Sequence, residues 1–241
     1  MPPFPQLRYD AEMSRIFIFD AVHTILRPIP DVISAYFLGG QRHGSQFDKD
    51  EVRSRFRVAR RQRFGTFVAA SQTDSGSLVS SDEIERQLWL DLVSDVFSDV
   101  RPIDSLFAEL WSHFAAAENW QLYDDVEPCW SKLKANGDRI VIASNFDSRL
   151  NEIVAQHETL SLADAVYCSA EVGYRKPDPL FYKTVADSFA IGESDEVIMV
   201  GDDAENDYVA PVRFGWQAFH LDRRATDQRP QHVISDLSQL F

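Results

Sequence analysis

Four short apolar runs, each ending in a polar cluster, constrain this chain more than any other feature: Ile16 to Phe19 before Asp20, Ile140 to Ala143 before Ser144, Ala165 to Cys168, and Val197 to Val200 before Gly201. Short runs that are apolar throughout suit strands buried on both faces, the pattern of a parallel sheet. Helical patterns lie between them at Val126 to Ala135, Arg149 to Gln156 and Leu180 to Phe189, and Gly137 supplies a helix stop before the second run. A fifth strand, Gln217 to Leu221, follows a helix expected over Asn206 to Phe214. Val233 and Ile234 add an edge strand, and Asp236 caps a short terminal helix. This alternation predicts an α/β fold, a doubly wound parallel sheet.

Residues 31–118 break the rhythm, with no strand-like run among them. Ile84, Leu88, Leu92 and Val96 share one helical face, and Ser80 with Glu83 has capping-box spacing ahead of them. Leu106, Leu110 and Phe114 repeat the pattern behind Asp104. The expected organisation is an α/β core from 1–30 and 119–241 with a helical subdomain, 31–118, inserted after the first strand. The polar segment Ser71 to Ser80 is expected to be a loop between its helices.

Charge narrows the partners. With 24 Lys and Arg against 38 Asp and Glu, the net charge of −14 opposes binding to nucleic acid or an anionic membrane and favours small molecules and metal cations. Arg53, Arg55, Arg57, Arg60, Arg61 and Arg63 form one basic segment, which reads as a solvated helix face able to attract an anionic substrate. Cys129 and Cys168 sit in apolar stretches, as buried reduced thiols do, and suggest a reducing, cytoplasmic setting. Met1 to Gln6 lacks a basic region followed by an apolar core, and no run approaches a membrane span, so an untargeted chain is expected.

In a doubly wound sheet, the residues just beyond adjacent strands converge on one crevice. Here that brings together Asp20 after the first run, Ser144 and Asn145 after the second, Lys176 in the loop after the third, and Asp202, Asp203 and Asp207 after the fourth. Carboxylates crowded in this way repel one another unless a cation neutralises them, and an all-oxygen set suits Mg²⁺. Asp20 and Asp202 are the best direct ligands, with Asp203 or Asp207 nearby. Lys176 would offset the charge of Asp20 and of a bound phosphate, Ser144 would donate a hydrogen bond, and Asp20 would attack the substrate.

Asp20-Ala-Val-His-Thr24, Ser144-Asn145, Arg175-Lys176-Pro177-Asp178 and Gly201-Asp-Asp-Ala-Glu-Asn-Asp207 resemble the four ordered motifs of the haloacid dehalogenase superfamily. Ser144 to Asp147 and Gly173 to Asp178 are similar to its haloacid-dehalogenase-like domain subgroup, and the insertion resembles the superfamily's helical cap. The resemblance implies a Rossmann-like core, a nucleophilic Asp20, Thr24 and Ser144 positioning the transferred group, Lys176 as its cation, Mg²⁺ around Asp202 and Asp207, and a phosphorylated small-molecule substrate. It also implies that the residue two after the nucleophile lends its backbone carbonyl to the metal.

One departure matters. Phosphatases of the superfamily carry a second Asp at that position, and here it is Val22. Valine cannot move a proton, and losing a general acid–base typically costs ~10²–10⁴-fold in rate. The metal contact through the backbone of Val22 is unaffected. His23 adjoins it and has an ordinary pKa near neutrality, but adjacent residues in a turn point apart, which favours a structural role. Two other functions fit a missing acid: carbon–halogen hydrolysis without metal, whose leaving halide needs no proton, and ligand binding with little turnover.

Overall fold

The computed structural model of the protein describes residues 14–71, 78–226 and 229–241. Met1 to Gln6 and residues 72–77 of the expected Ser71 to Ser80 loop lie outside them. The chain runs through β1 (Arg15–Phe19), β2 (Leu26–Pro28), α1 (Val32–Arg42), α2 (Lys49–Ser71), α3 (Asp82–Val96) and α4 (Asp104–His113). It continues through β3 (Trp120–Leu122), α5 (Val126–Ala135), β4 (Arg139–Ser144), α6 (Arg149–Ala155), β5 (Ala165–Cys168), α7 (Ser169–Val172) and α8 (Pro179–Ser188). The last elements are β6 (Glu196–Gly201), α9 (Ala210–Phe214), β7 (Gln217–Leu221) and β8 (Val233–Ile234).

Six strands form one parallel sheet in the order β5-β4-β1-β6-β7-β8. Because side chains alternate across a strand, β1 divides its residues between two cores. Phe17 and Phe19 join Ile140, Ile142, Trp130 and Leu133 on one face, while Ile16 and Ile18 join Val141, Met199, Phe181 and Val185 on the other. The expected α/β doubly wound sheet is therefore present. β1 is its topological switch point, with β4 and β6 departing on opposite sides. Phe19 is in register with both Ile142 and Val200, so the residues after these three strands emerge side by side.

Helices α1 to α4 pack around a third apolar cluster that includes Tyr36, Val52, Leu92, Phe97, Leu106 and Leu110. Two antiparallel strands that the sequence pattern did not reveal, β2 and β3, carry the chain into and out of this helical layer. A helix N-terminus also moves by one residue. Ser81, not Ser80, caps α3 by accepting from the Ile84 amide, and Glu85 rather than Ile84 is buried on the first turn: Glu85 is 1% exposed and Ile84 37%. Val79 makes an isolated antiparallel bridge with Tyr174, so the inserted stretch does contribute extended backbone to the core. The helix expected over Asn206 to Phe214 divides into a π-helical turn, Ala204–Val209, and α9. Cys129 and Cys168 are buried free thiols.

Candidate active site

Asp20 follows β1 directly, and its amide donates to the Val200 carbonyl at 2.9 Å, which fixes the residue at the sheet edge. Its Oδ1 accepts from Ser144 Oγ at 2.9 Å and from Lys176 Nζ at 2.8 Å. Lys176 is 2% exposed and spends its other donors on Asp207 Oδ1, at 2.6 Å, and the Ala143 carbonyl, at 3.0 Å. Burial opposes its charge, but Asp20 and Asp207 together hold the ammonium's pKa above the ordinary lysine value. Asn145 clamps the lysine's backbone: its Oδ1 accepts from the Lys176 amide at 2.8 Å and its Nδ2 donates to the Lys176 carbonyl at 2.9 Å.

Carboxylate oxygens of Asp20, Asp202 and Asp207 lie within 4.8 Å of one another. Asp207 is fully engaged, with Oδ1 on Lys176 and Oδ2 accepting the Asp203 amide at 3.0 Å. This approach needs Gly201, because a Cβ there would overlap the Asp207 carboxylate. The Asp202 carboxylate accepts from the Thr24 hydroxyl at 3.5 Å, and burial beside Asp20 and Asp207 pushes its pKa up to about 8. Burial also raises Asp207, to about 7, although Lys176 opposes the shift. One ammonium cannot balance three carboxylates in a poorly solvated crevice, which is why Asp202 and Asp207 are both raised.

Of the residues singled out in the sequence, the structure brings Asp20, Thr24, Ser144, Asn145, Lys176, Asp202 and Asp207 together. Asp203 stands apart. It is exposed, and its Oδ1 caps the π-helical turn by accepting from the Glu205 and Asn206 amides. Val22 is half-buried, with its side chain against the core. His23 adopts a left-handed backbone, φ 66°, and desolvation by surrounding protein, with Arg60, lowers its pKa although part of the residue remains exposed. Asp147 and Arg149 contribute a feature that the sequence did not signal. Arg149 pairs with Asp147 at 2.7 Å, donates to the Trp111 carbonyl at 2.9 Å and stacks 3.4 Å from the Trp111 ring, joining α4 to the core. In the basic segment, Arg53, Arg55 and Arg63 are spent on Asp50, Glu51, Asp91 and Asp95.

The raised pKa of Asp202 carries a stability consequence. Its value is 3.8 when unperturbed and about 8 in the fold, so between these limits the folded form holds a proton that the unfolded chain has lost. Stability contributed by this group is thus present at low pH and declines as pH rises toward 8. In chelator, wild-type protein is expected to lose melting temperature from pH 5 to 8 relative to Asp202→Asn, with pH values taken at roughly unit spacing. Comparison with the variant is needed because His23, His113 and His157, all lowered by desolvation, give the opposite slope. Parallel melting curves for the two proteins would contradict the assignment.

A crevice at the switch point of a parallel sheet, lined by acids and a lysine, places the chain among α/β proteins that work at the carboxyl ends of their strands. A family model for haloacid dehalogenase-like hydrolases matches residues 15–215, and the chain belongs to that family. The family read from the four sequence motifs is borne out. Haloacid dehalogenase-like hydrolase domain-containing protein 3 of Homo sapiens is 26% identical over 241 residues, covering 94% of this chain and 92% of its own. Phosphatase MT3486 of Mycobacterium tuberculosis (strain CDC 1551 / Oshkosh) is 29% identical over 182 residues, covering 66% and 80%. Among solved structures, the L-2-haloacid dehalogenase RSc1362 has the same fold, with a TM-score of 0.70, 18% identity and coverage of 95% and 97%. No helix among the described residues is long and apolar enough to cross a membrane.

Proposed function

We propose that the protein is a Mg²⁺-dependent phosphohydrolase that acts through an aspartyl-phosphate on Asp20, with residues 31–118 as a cap over a core formed by 1–30 and 119–241. The single observation that carries this reading is the close set of Asp20, Asp202 and Asp207 carboxylates around one buried ammonium. The donor set is all oxygen and over-supplied with negative charge, which fits a hard divalent cation. Asp20 and Asp202 would hold it with the backbone carbonyl of Val22, and Asp207, whose oxygens already serve Lys176 and the Asp203 amide, would stand behind them. Such a cation supplies charge neutralisation for a phosphoryl group drawn to an acidic site.

The chain's own groups perform the rest. Lys176 and Ser144 bind Asp20 Oδ1, which leaves Oδ2 to attack phosphorus as the bond to the leaving-group oxygen breaks. Lys176 would offset the charge of the transferred group, and Thr24, with Ser144 turned from Asp20 toward the substrate, would position it. Water then hydrolyses the acyl phosphate, releasing inorganic phosphate and restoring the carboxylate. Val22 provides no proton for the departing oxygen, so aryl and acyl phosphates, whose leaving groups depart as stable anions, are the favoured substrates. The test is hydrolysis of an aryl and acyl phosphate panel with Mg²⁺ and with chelator. Turnover confined to Mg²⁺ is expected, and no turnover in either condition removes the proposal.

Val22 also favours a second reading, carbon–halogen hydrolysis. The acids around Asp20 count against it, because without a cation they repel the nucleophile's charge. Halide release from a 2-haloacid in chelator would establish it over the phosphatase reading.

A further inference from the structure

The segment before α3 is laid against the loop that carries Lys176. The Ser80 amide donates to the Gly173 carbonyl at 2.9 Å, the Arg175 amide to the Leu78 carbonyl at 2.8 Å, and the Leu78 amide to Asp178 Oδ2 at 2.6 Å. Residues on both sides of Lys176 are thereby held by residues 78–80. Across this junction runs an ion pair shielded from water, between Glu85 (1% exposed) and Arg175 (7%). Ser80 Oγ donates to the same Glu85 oxygen at 2.6 Å, and the Phe64 ring of α2 lies 5.1 Å from the Arg175 guanidinium.

Desolvating two charges offsets most of what their attraction returns, and an apolar pair of similar volume often stabilises as well or better. What an ion pair adds is direction, because the guanidinium and carboxylate meet in one geometry where apolar side chains accept several. We propose that Glu85 and Arg175 are positioning residues that fasten the helical layer to the lysine loop, so that Lys176 is held against Asp20 only while the helices are docked. Asn145 secures the lysine's backbone from the core side, and Arg175 secures it from the side of the helices. An incoming substrate would meet a complete charge cluster only beneath a docked cap. That consequence for turnover rests on the phosphohydrolase reading, whereas the placement of the lysine does not.

The test reads Lys176 directly, by mass spectrometry after brief acetylation with an N-hydroxysuccinimide ester of the full chain. Lys183, whose side chain is 61% exposed, serves as internal control. In wild type Lys176 is expected to resist labelling. In Glu85→Gln it is expected to label at least about tenfold faster, with faster hydrogen exchange at 173–178 and no change at Lys183. Lys176 staying protected while residues 78–85 exchange faster would overturn the proposal. Should Glu85→Gln fail to fold, the double variant E85L/R175M supplies an apolar pair in its place. Lys176 labelling faster there at an unchanged melting temperature supports positioning by the ion pair, and full protection overturns it. Phosphate hydrolysis is measured on the same samples. An inactive wild type with an unmasked lysine in Glu85→Gln removes the functional reading and leaves the fastening in place.

Discussion

Replacing Asp20 by asparagine is expected to remove phosphate hydrolysis, by at least about 10⁴-fold in kcat, because in the proposed mechanism Asp20 forms the covalent intermediate. The substitution should leave the fold intact. An amide oxygen can accept from both Ser144 and Lys176 as the carboxylate Oδ1 does now, so only the attacking oxygen is exchanged for an NH₂ group. Relief of charge crowding should show as well. Asp20 is the chief charged contributor to the raised pKa of Asp202, so Asp20→Asn in chelator near pH 8 is expected to melt at or above the wild-type temperature. Stability and turnover would then move in opposite directions, as they do when a site is strained for chemistry. Hydrolysis assays and thermal melts on one preparation check both, and retained turnover in the variant would eliminate Asp20 as nucleophile.

Val22→Asp is expected to do the reverse. Supplying the missing acid two residues after the nucleophile should raise kcat on alkyl phosphates by about 10²- to 10⁴-fold, with a smaller gain on aryl phosphates, whose leaving groups need less help. Half-burial and the neighbouring carboxylates would push the new acid's pKa upward, which is what a proton donor working near neutral pH requires. The same surroundings make the change costly, by about 1–3 kcal/mol, since Val22 now packs on the core and an acid there joins Asp20 and Asp202. A steeper dependence on leaving-group pKa in wild type than in the variant is the measurement to make. Equal dependence in both would mean that proton donation is not what limits this protein.

The fastening of the helical layer bears on both experiments. Arg175 and Glu85 pair with each other at the junction, and the lysine that neutralises Asp20 directly follows one of them. Variants in the inserted helices that lower turnover should therefore be checked for displacement of Lys176 before the helices are credited with binding substrate.

How much was legible in the chain depended on how local the cause was. Strands that send side chains into a core on each face carry an unbroken apolar run, so β1, β4 and β6 stood out, as did the shorter run of the half-buried edge strand β5, and the polar residues after them stood out by contrast. The β2–β3 ribbon did not. It joins three-residue segments in which Pro28 faces Trp120, and neither segment carries a strand pattern of its own. Glu85 was hidden for a similar reason. An acid in the first turn of a helix ordinarily serves the helix dipole, and only its partner on a distant loop makes it a buried ion. Position alone did not separate Asp203 from Asp207, since both follow one strand, and the family resemblance was what put Asp207 beside the metal. The backbone turn sends one outward to the Glu205 and Asn206 amides and the other inward to Lys176.

By itself, then, the order of residues determined the sheet, the edge at which its acids gather and the loss of a proton donor at Val22. The first two follow from periodicity and residue type, which act along the chain, and the third from the family motif that residues 20–24 resemble. Tertiary structure alone decided which acid meets the lysine and that the inserted helices grip the lysine's loop. Those outcomes rest on contacts between segments about 30 to 150 residues apart, where burial and hydrogen-bond geometry, not local propensity, set the energy.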